Sequence, residues 1–285
     1  MKIAKNRGVR IATEVSGKPN KGTILLIMGA TASMVWWPST LVEQLSSAGY
    51  QVIRYDHRDT GKSTTNSPGD VQYGLNDLAN DLLSVLDAYV LDSAHFVGMS
   101  LGGYLAQIVA LTHPARAQSI TLIAAEPLGV DYEAAGIAPE FMNHFGKMAE
   151  LDWTDREAVA DFMLGISRLS AGRSLPFDQS AAMKRIRLEL DHAQNMQSAF
   201  NHSAIVGETD PKLNAAMLKQ PTLIIHGTED PIISVNAALR TAASVLDSKL
   251  LLLEGRGHEL PDRDIPKIVQ SILDHIASSQ AALPS

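Results

Sequence analysis

Residues 94–112 read AHFVGMSLGGYLAQIVALT, and the fold turns on how this stretch is parsed. Ala94 to Gly98 is a short apolar run of strand length. Leu101 to Thr112 has a helical pattern and ends at His113-Pro114, where proline stops a helix. Between them lies Gly98-Met99-Ser100-Leu101-Gly102, a G-x-S-x-G pattern in the strand–turn–helix setting that such a pattern requires. A serine at so sharp a turn is strained and crowds the positions two before and two after it. Glycine at both relieves the clash. Ser100 is therefore the candidate nucleophile, against the blander reading of a glycine-rich turn with an idle serine.

Working outward, five further runs have the same character: Thr23 to Met28, Gln51 to Tyr55, Ser119 to Ala125, Thr222 to His226 and Lys249 to Leu253. None alternates apolar with polar, as expected of strands in a parallel sheet covered on both faces. Helical patterns lie between them. Ser39 to Ala48 carries Leu41, Val42 and Leu45, and Leu75 to Tyr89 sets Leu75, Leu78, Leu82, Val85, Leu86 and Tyr89 on one face. The alternation predicts a mostly parallel, doubly wound α/β sheet. It breaks from about Pro127 to Lys219, where helical patterns (Glu140 to Glu150, Asp155 to Ser170, Asp178 to Ser198) replace strands. The expected organisation is thus a core of 1–126 and 220–285 with a helical cap, 127–219, over the sheet's end.

At 285 residues the chain has room for such a core. Its net charge of −7 argues against a nucleic-acid partner, because phosphate binding needs clustered Lys and Arg. It has no cysteine, which excludes disulfides, thiolate catalysis and cysteine metal sites. Met1 to Ser16 has no apolar core of a signal peptide, and no run approaches the roughly 20 residues of a membrane span. A cytoplasmic enzyme is expected, without membrane attachment; a homodimer stays open.

A serine hydroxyl needs a base, and the base needs a carboxylate to orient it. On a sheet of this kind the chain order is serine, carboxylate, histidine. His226-Gly227-Thr228-Glu229-Asp230-Pro231 follows a strand and offers Asp230, with Glu229 as rival, at the sheet edge where catalytic groups collect. Of nine histidines, only His258, in Gly255-Arg256-Gly257-His258, combines the loop after the last strand with flanking glycines. The backbone N–H of Leu101 and that of Ala30, in Met28-Gly29-Ala30 after the first of the buried runs, are the candidate oxyanion donors. Gly29, Met99, Trp36 and Trp37 are candidate substrate contacts, the two tryptophans equally readable as packing for their loop. Met142, Met148, Met163, Met183 and Met196 suit either an adaptable apolar wall or plain core. Thr60-Gly61-Lys62-Ser63-Thr64 resembles the end of a phosphate-binding loop but has Asp56 where that loop needs glycine. Asp131, Glu133, Asp152 and Asp155 lack metal-ligand spacing. No cofactor or metal is expected, and the partner is a small-molecule ester.

Met28-Gly29-Ala30, the stretch Tyr55 to Ser63, Gly98 to Gly102, His226 to Asp230 and Gly257-His258 together resemble the α/β-hydrolases along nearly the whole chain. That resemblance favours Asp230 over Glu229 as the acid. Arg54 to Thr65 and the tryptophan-containing oxyanion loop are similar to those of anthracycline methyl esterases, and the chain also resembles serine-dependent macrolide esterases. The resemblance implies a serine esterase acting through an acyl-enzyme on a bulky polyketide ester beneath a helical lid. A macrolactone opened in antibiotic resistance is the first expectation and an anthracycline-like methyl ester the alternative. The same triad serves C–C hydrolases and perhydrolases, and a ligand receptor on this scaffold is the non-enzymatic alternative. Dehalogenases and epoxide hydrolases would need Asp at position 100.

Overall fold

The computed structural model describes residues 1–205 and 209–281. Its strands are β1 (Lys2–Asn6), β2 (Val9–Ser16), β3 (Thr23–Ile27), β4 (Gln51–Tyr55), β5 (Ala94–Met99), β6 (Ala117–Ile123), β7 (Thr222–Gly227) and β8 (Lys249–Leu253). They form one sheet in the order β1-β2-β4-β3-β5-β6-β7-β8. The β1–β2 and β2–β4 pairs are antiparallel, and all others are parallel. Every residue of β3, β5 and β7 is buried, which is why these segments read as unbroken apolar runs. The antiparallel pair β1–β2 was not anticipated. Lys, Arg, Asn, Thr, Glu and Ser interrupt the buried Ala4, Ile11 and Ala12, so no unbroken apolar run marks these strands.

Helices cover both faces. On one side α2 (Leu75–Ala88) and α3 (Leu101–Thr112) bury Leu78, Leu82, Leu105 and Val109 against Leu25, Ile27 and Phe96. On the other, α1 (Ser39–Ser47) and α9 (Ile265–Ala281) bury Leu41, Leu45, Ile268 and Ile272 against Ile24, Leu26 and Val97. Each such side chain contributes about 1.5–3 kcal/mol on leaving water. The helix α8 (Val235–Ser244) packs beside β7 and β8.

Between β6 and β7 the described residues form helices and no strand: α4 (Pro139–Gly146), α5 (Arg156–Ser170), α6 (Gln179–His192) and α7 (Met196–Ala199). Asp155, Asp178 and Asn195 cap α5, α6 and α7 by accepting backbone N–H bonds. The cap at Asn195 begins a new helix, so Asp178 to Ser198 is not the single helix expected from its pattern. This segment has its own apolar centre of Val159, Phe162, Met163, Ile186, Met196 and Phe200. Phe200 sits 5.3–5.9 Å from the rings of Trp153, Phe145 and Phe162. Residues of this segment, the roof, line one cavity together with Met28, Met99 and Ser100 at the C-terminal ends of β3 and β5.

Candidate active site

Ser100 occupies the one-residue junction between β5 and α3 with φ +50° and ψ −119°, a strained conformation for a residue with a Cβ. Its N–H donates to Ile123 O at 2.8 Å, and its carbonyl accepts from Gly103 N and Tyr104 N. A Cβ on Gly98 would lie 2.3 Å from Gly102 O, and one on Gly102 would lie 2.0 Å from Ile27 O. Both glycines are therefore required by backbone-to-backbone contact.

Asp230 and His258 come together from the loops after β7 and β8. His258 Nδ1–H donates to Asp230 Oδ2 at 2.8 Å. The other carboxylate oxygen accepts from Ile232 N and Ile233 N, each at 2.9 Å. Burial opposes ionisation of Asp230. The charges and hydrogen bonds of His258 and His226 outweigh it and hold the carboxyl well below the usual range. The imidazole is thereby held in the tautomer that leaves Nε2 free to accept a proton. Glu229 instead faces the roof, accepting from the backbone N–H groups of Arg173 and Ser174 and from the Ser174 hydroxyl. It clamps the stretch between α5 and α6.

Ser100 and His258 line the same cavity of about 680 Å³, within the usual range for small-molecule sites. No hydrogen bond joins the Ser100 hydroxyl to the imidazole, and such bonds often tighten only when substrate arrives. Gly29, Ala30, Trp36 and Met99 also line the cavity. A Cβ on Gly29 would stand 3.3 Å from Ser100 Cβ, so the loop after β3 abuts the serine. Leu101 is the first residue of α3, where a backbone N–H has no partner within the helix. Its side chain packs with the core.

Trp37 departs from the pocket reading. It is buried under α1 with Leu41 and Val42 and does not reach the cavity. It follows a 3₁₀ turn, Met34–Trp36, in which successive side chains point about 120° apart, so Trp36 and Trp37 diverge. Of the five roof methionines, Met142, Met163 and Met196 line the cavity. Met148 and Met183 pack with the roof's own apolar cluster.

Several residues escaped sequence reasoning. Phe141, Phe145, Ile166 and Phe200 form the apolar ceiling. Arg185 lies at one side, its guanidinium 6.0 Å from the Trp36 ring and bonded to Leu260 O at 3.3 Å and Asp262 Oδ1 at 3.1 Å. Asp56, which disqualifies the phosphate-loop reading, accepts from Met34 N, Lys62 N and His192 Nε2, each at 2.8 Å. Among the described residues no cluster of histidine and carboxylate could hold a metal, and no helix is long and apolar enough to cross a membrane.

A parallel sheet with a strained serine elbow and a carboxylate–imidazole pair at its C-terminal edge defines a hydrolase scaffold. The chain belongs to the alpha/beta hydrolase fold family, whose model matches residues 22–263. It is 32% identical over 269 residues to rhodomycin D methylesterase DauP of Streptomyces sp. (strain C5), covering 89% of this chain and 90% of that protein. It is likewise 32% identical over 274 residues to rhodomycin D methylesterase DnrP of Streptomyces peucetius, covering 90% and 91%. Among solved structures, a hydrolase from Pseudomonas aeruginosa PA01 superposes with a TM-score of 0.71 at 25% identity, covering 99% of this chain and 98% of that one.

Proposed function

We propose that this hydrolase of ester bonds cleaves the methyl ester of a bulky polycyclic polyketide through an acyl-enzyme on Ser100. The observation that carries the reading is the Asp230–His258 hydrogen bond, whose imidazole lines the same cavity as Ser100. His258 Nε2 takes the hydroxyl proton as Ser100 Oγ attacks the ester carbonyl. Asp230, ionised across the neutral range, stabilises the imidazolium. The backbone N–H groups of Ala30 and Leu101 receive the developing oxyanion. The tetrahedral intermediate collapses, His258 returns the proton to the leaving methoxide, and methanol departs. Water activated by the same imidazole then attacks the acyl-enzyme, and the free acid leaves with Ser100 restored.

The apolar ceiling and the size of the cavity suit a fused-ring substrate better than a short acyl chain. The methyl-ester reading is preferred to lactone opening because the 32%-identical relatives bear methylesterase names. In this reading residues 127–219 act as a cap that supplies most of the substrate's apolar contacts. The test is incubation with an anthracycline methyl ester and with a macrolide, followed by mass spectrometry. Release of methanol from the first supports the proposal. Addition of one water to the second, with the first untouched, moves the substrate to the macrolactone. Unchanged turnover by Ser100→Ala, or stabilisation by ligand without consumption, refutes the serine-esterase reading.

A further inference from the structure

The loop that carries Gly29 and Ala30 has few contacts of its own kind. Its hydrogen bonds run to distant side chains, several of them on the roof. Thr31 N–H donates to His202 Nδ1 at 3.0 Å. The Ser33 hydroxyl donates to Glu189 Oε2 at 2.7 Å, and Ser33 N–H is shared between the two oxygens of the same carboxylate at 3.2 and 3.3 Å. His57 Nε2 bonds Met28 O at 2.9 Å from beneath. Thr31 has φ +63°, a conformation that a residue with a branched Cβ adopts only when its surroundings impose it.

We propose that His202 and Glu189 are positioning residues for the oxyanion loop, fixing the Gly29–Ala30 peptide toward the reacting carbonyl by accepting from Thr31 and Ser33. The proposal rests on the serine-esterase reading above. Both side chains are buried, and neither lines the cavity, so they act through the loop alone. His202 Nε2 lies 2.8 Å from Arg58 O and must carry the proton there, which leaves Nδ1 as the acceptor for Thr31. Burial holds its pKa down to about 4, so the ring stays neutral and Nδ1 stays an acceptor at working pH. The roof is thus tied to the chemistry on two sides: at the oxyanion loop here, and at the base through His258 N–H to Ser170 O at 2.7 Å.

The experiment compares His202→Asn with His202→Gln. Asparagine keeps an acceptor where Nδ1 sits and loses the donor to Arg58. Glutamine keeps the donor and loses the acceptor for Thr31. On p-nitrophenyl butyrate the glutamine variant is expected to lose about tenfold or more in kcat with KM within about twofold, as befits an interaction realised in the transition state. The asparagine variant recovers most of that loss. Affinity for an alkyl boronic acid, which mimics the tetrahedral intermediate, falls in parallel with kcat/KM. Equal kcat in the two variants, or wild-type kcat in the glutamine variant, overturns the proposal. Should either variant fail to fold, Ser33→Ala removes the hydroxyl bond to Glu189 together with the longer 3.4 Å contact from Val35 N–H; it is expected to lower kcat severalfold at unchanged KM, and wild-type kcat there overturns the proposal equally. Activity surviving in Ser100→Ala would overturn the serine reading itself, a different result from any of these.

Discussion

Asp230→Asn probes the site with almost no change in shape, and its effect is fixed by which carboxylate oxygen is already engaged. Oδ1 accepts from two backbone N–H groups, of Ile232 and Ile233, so the amide oxygen of asparagine is drawn to that position. The amide NH₂ then faces His258 Nδ1, where the wild type has an oxygen at 2.8 Å. Two donors cannot share a hydrogen bond, so Nδ1 must become the acceptor and Nε2 must carry the proton. That tautomer cannot accept a proton from Ser100. Flipping the amide would restore the useful tautomer at the cost of two backbone hydrogen bonds, each leaving a donor unpaired at about 1–3 kcal/mol. The unproductive form is therefore favoured by about 2–6 kcal/mol. Adding the lost stabilisation of the imidazolium, kcat should fall by about 10³–10⁴-fold, or about 4–5.5 kcal/mol in the barrier. Steady-state hydrolysis of p-nitrophenyl butyrate at pH 7.5 measures it, with thermal melting to establish folding. Glu229→Gln is the control. Its carboxylate holds the stretch between α5 and α6 at Arg173 and Ser174, so kcat should stay within about threefold of wild type, as befits a contact remote from the reacting atoms. A folded Asp230→Asn enzyme within tenfold of wild type, or a larger loss in Glu229→Gln, would refute the assignment of the acid.

Acid should weaken the fold at a pH well above the carboxylate range. Burial lowers the pKa values of His95 and His202 from 6.5 to about 4, so the stability each contributes is full above 6.5 and is lost as pH falls toward 4. At pH 5 each loss is about 2 kcal/mol. Glu189 works in the opposite sense. Burial raises it from 4.5 to about 7, so its contribution grows as pH falls from 7 to 4.5 and offsets about one histidine. Burial also lowers His57 and His275, which act in the same sense. Urea unfolding of the wild type should show a net loss between pH 7.5 and 5, and His95→Gln should reduce it by about 2 kcal/mol; an unchanged pH dependence in that variant would refute the linkage. Trp36→Ala should raise KM for an anthracycline ester while leaving small esters and melting temperature nearly unchanged, whereas Trp37→Ala should cost about 3–5 kcal/mol of stability from a filled core. Kinetics on both ester sizes with chemical unfolding of both variants measures this pair, and equal stability losses would sink the distinction.

The parallel sheet was legible because burial on both faces leaves strands such as β3 and β5 with no polar alternation to confuse them. The elbow was legible because Gly98 and Gly102 answer a steric demand that any sequence with this turn must meet. The pair β1–β2 was not, since its strands mix buried Ala4, Ile11, Ala12 and Thr13 with exposed or half-exposed polar residues and leave no unbroken apolar run. Trp36 and Trp37 were indistinguishable in composition, and only the pitch of one short turn separates a cavity wall from a core residue. His192 and His202 gave no signal at all. Their partners, Asp56 and Thr31, lie 136 and 171 positions away along the chain.

Local chemistry is written in short windows, so the sequence alone determined the strand and helix alternation, the strained serine, and the order in which serine, carboxylate and imidazole occur. Between Asp230 and Glu229 only the family resemblance chose; the physical reason, that Asp230 meets His258 while its neighbour clamps the roof, is visible only in the tertiary structure, which aims the two adjacent side chains apart. It alone also decided the cavity's ceiling and the buried contacts beneath it. Those depend on side chains brought together from dozens of residues apart in the ceiling and from more than a hundred and fifty at Ser33–Glu189 and Thr31–His202, at separations no periodicity encodes.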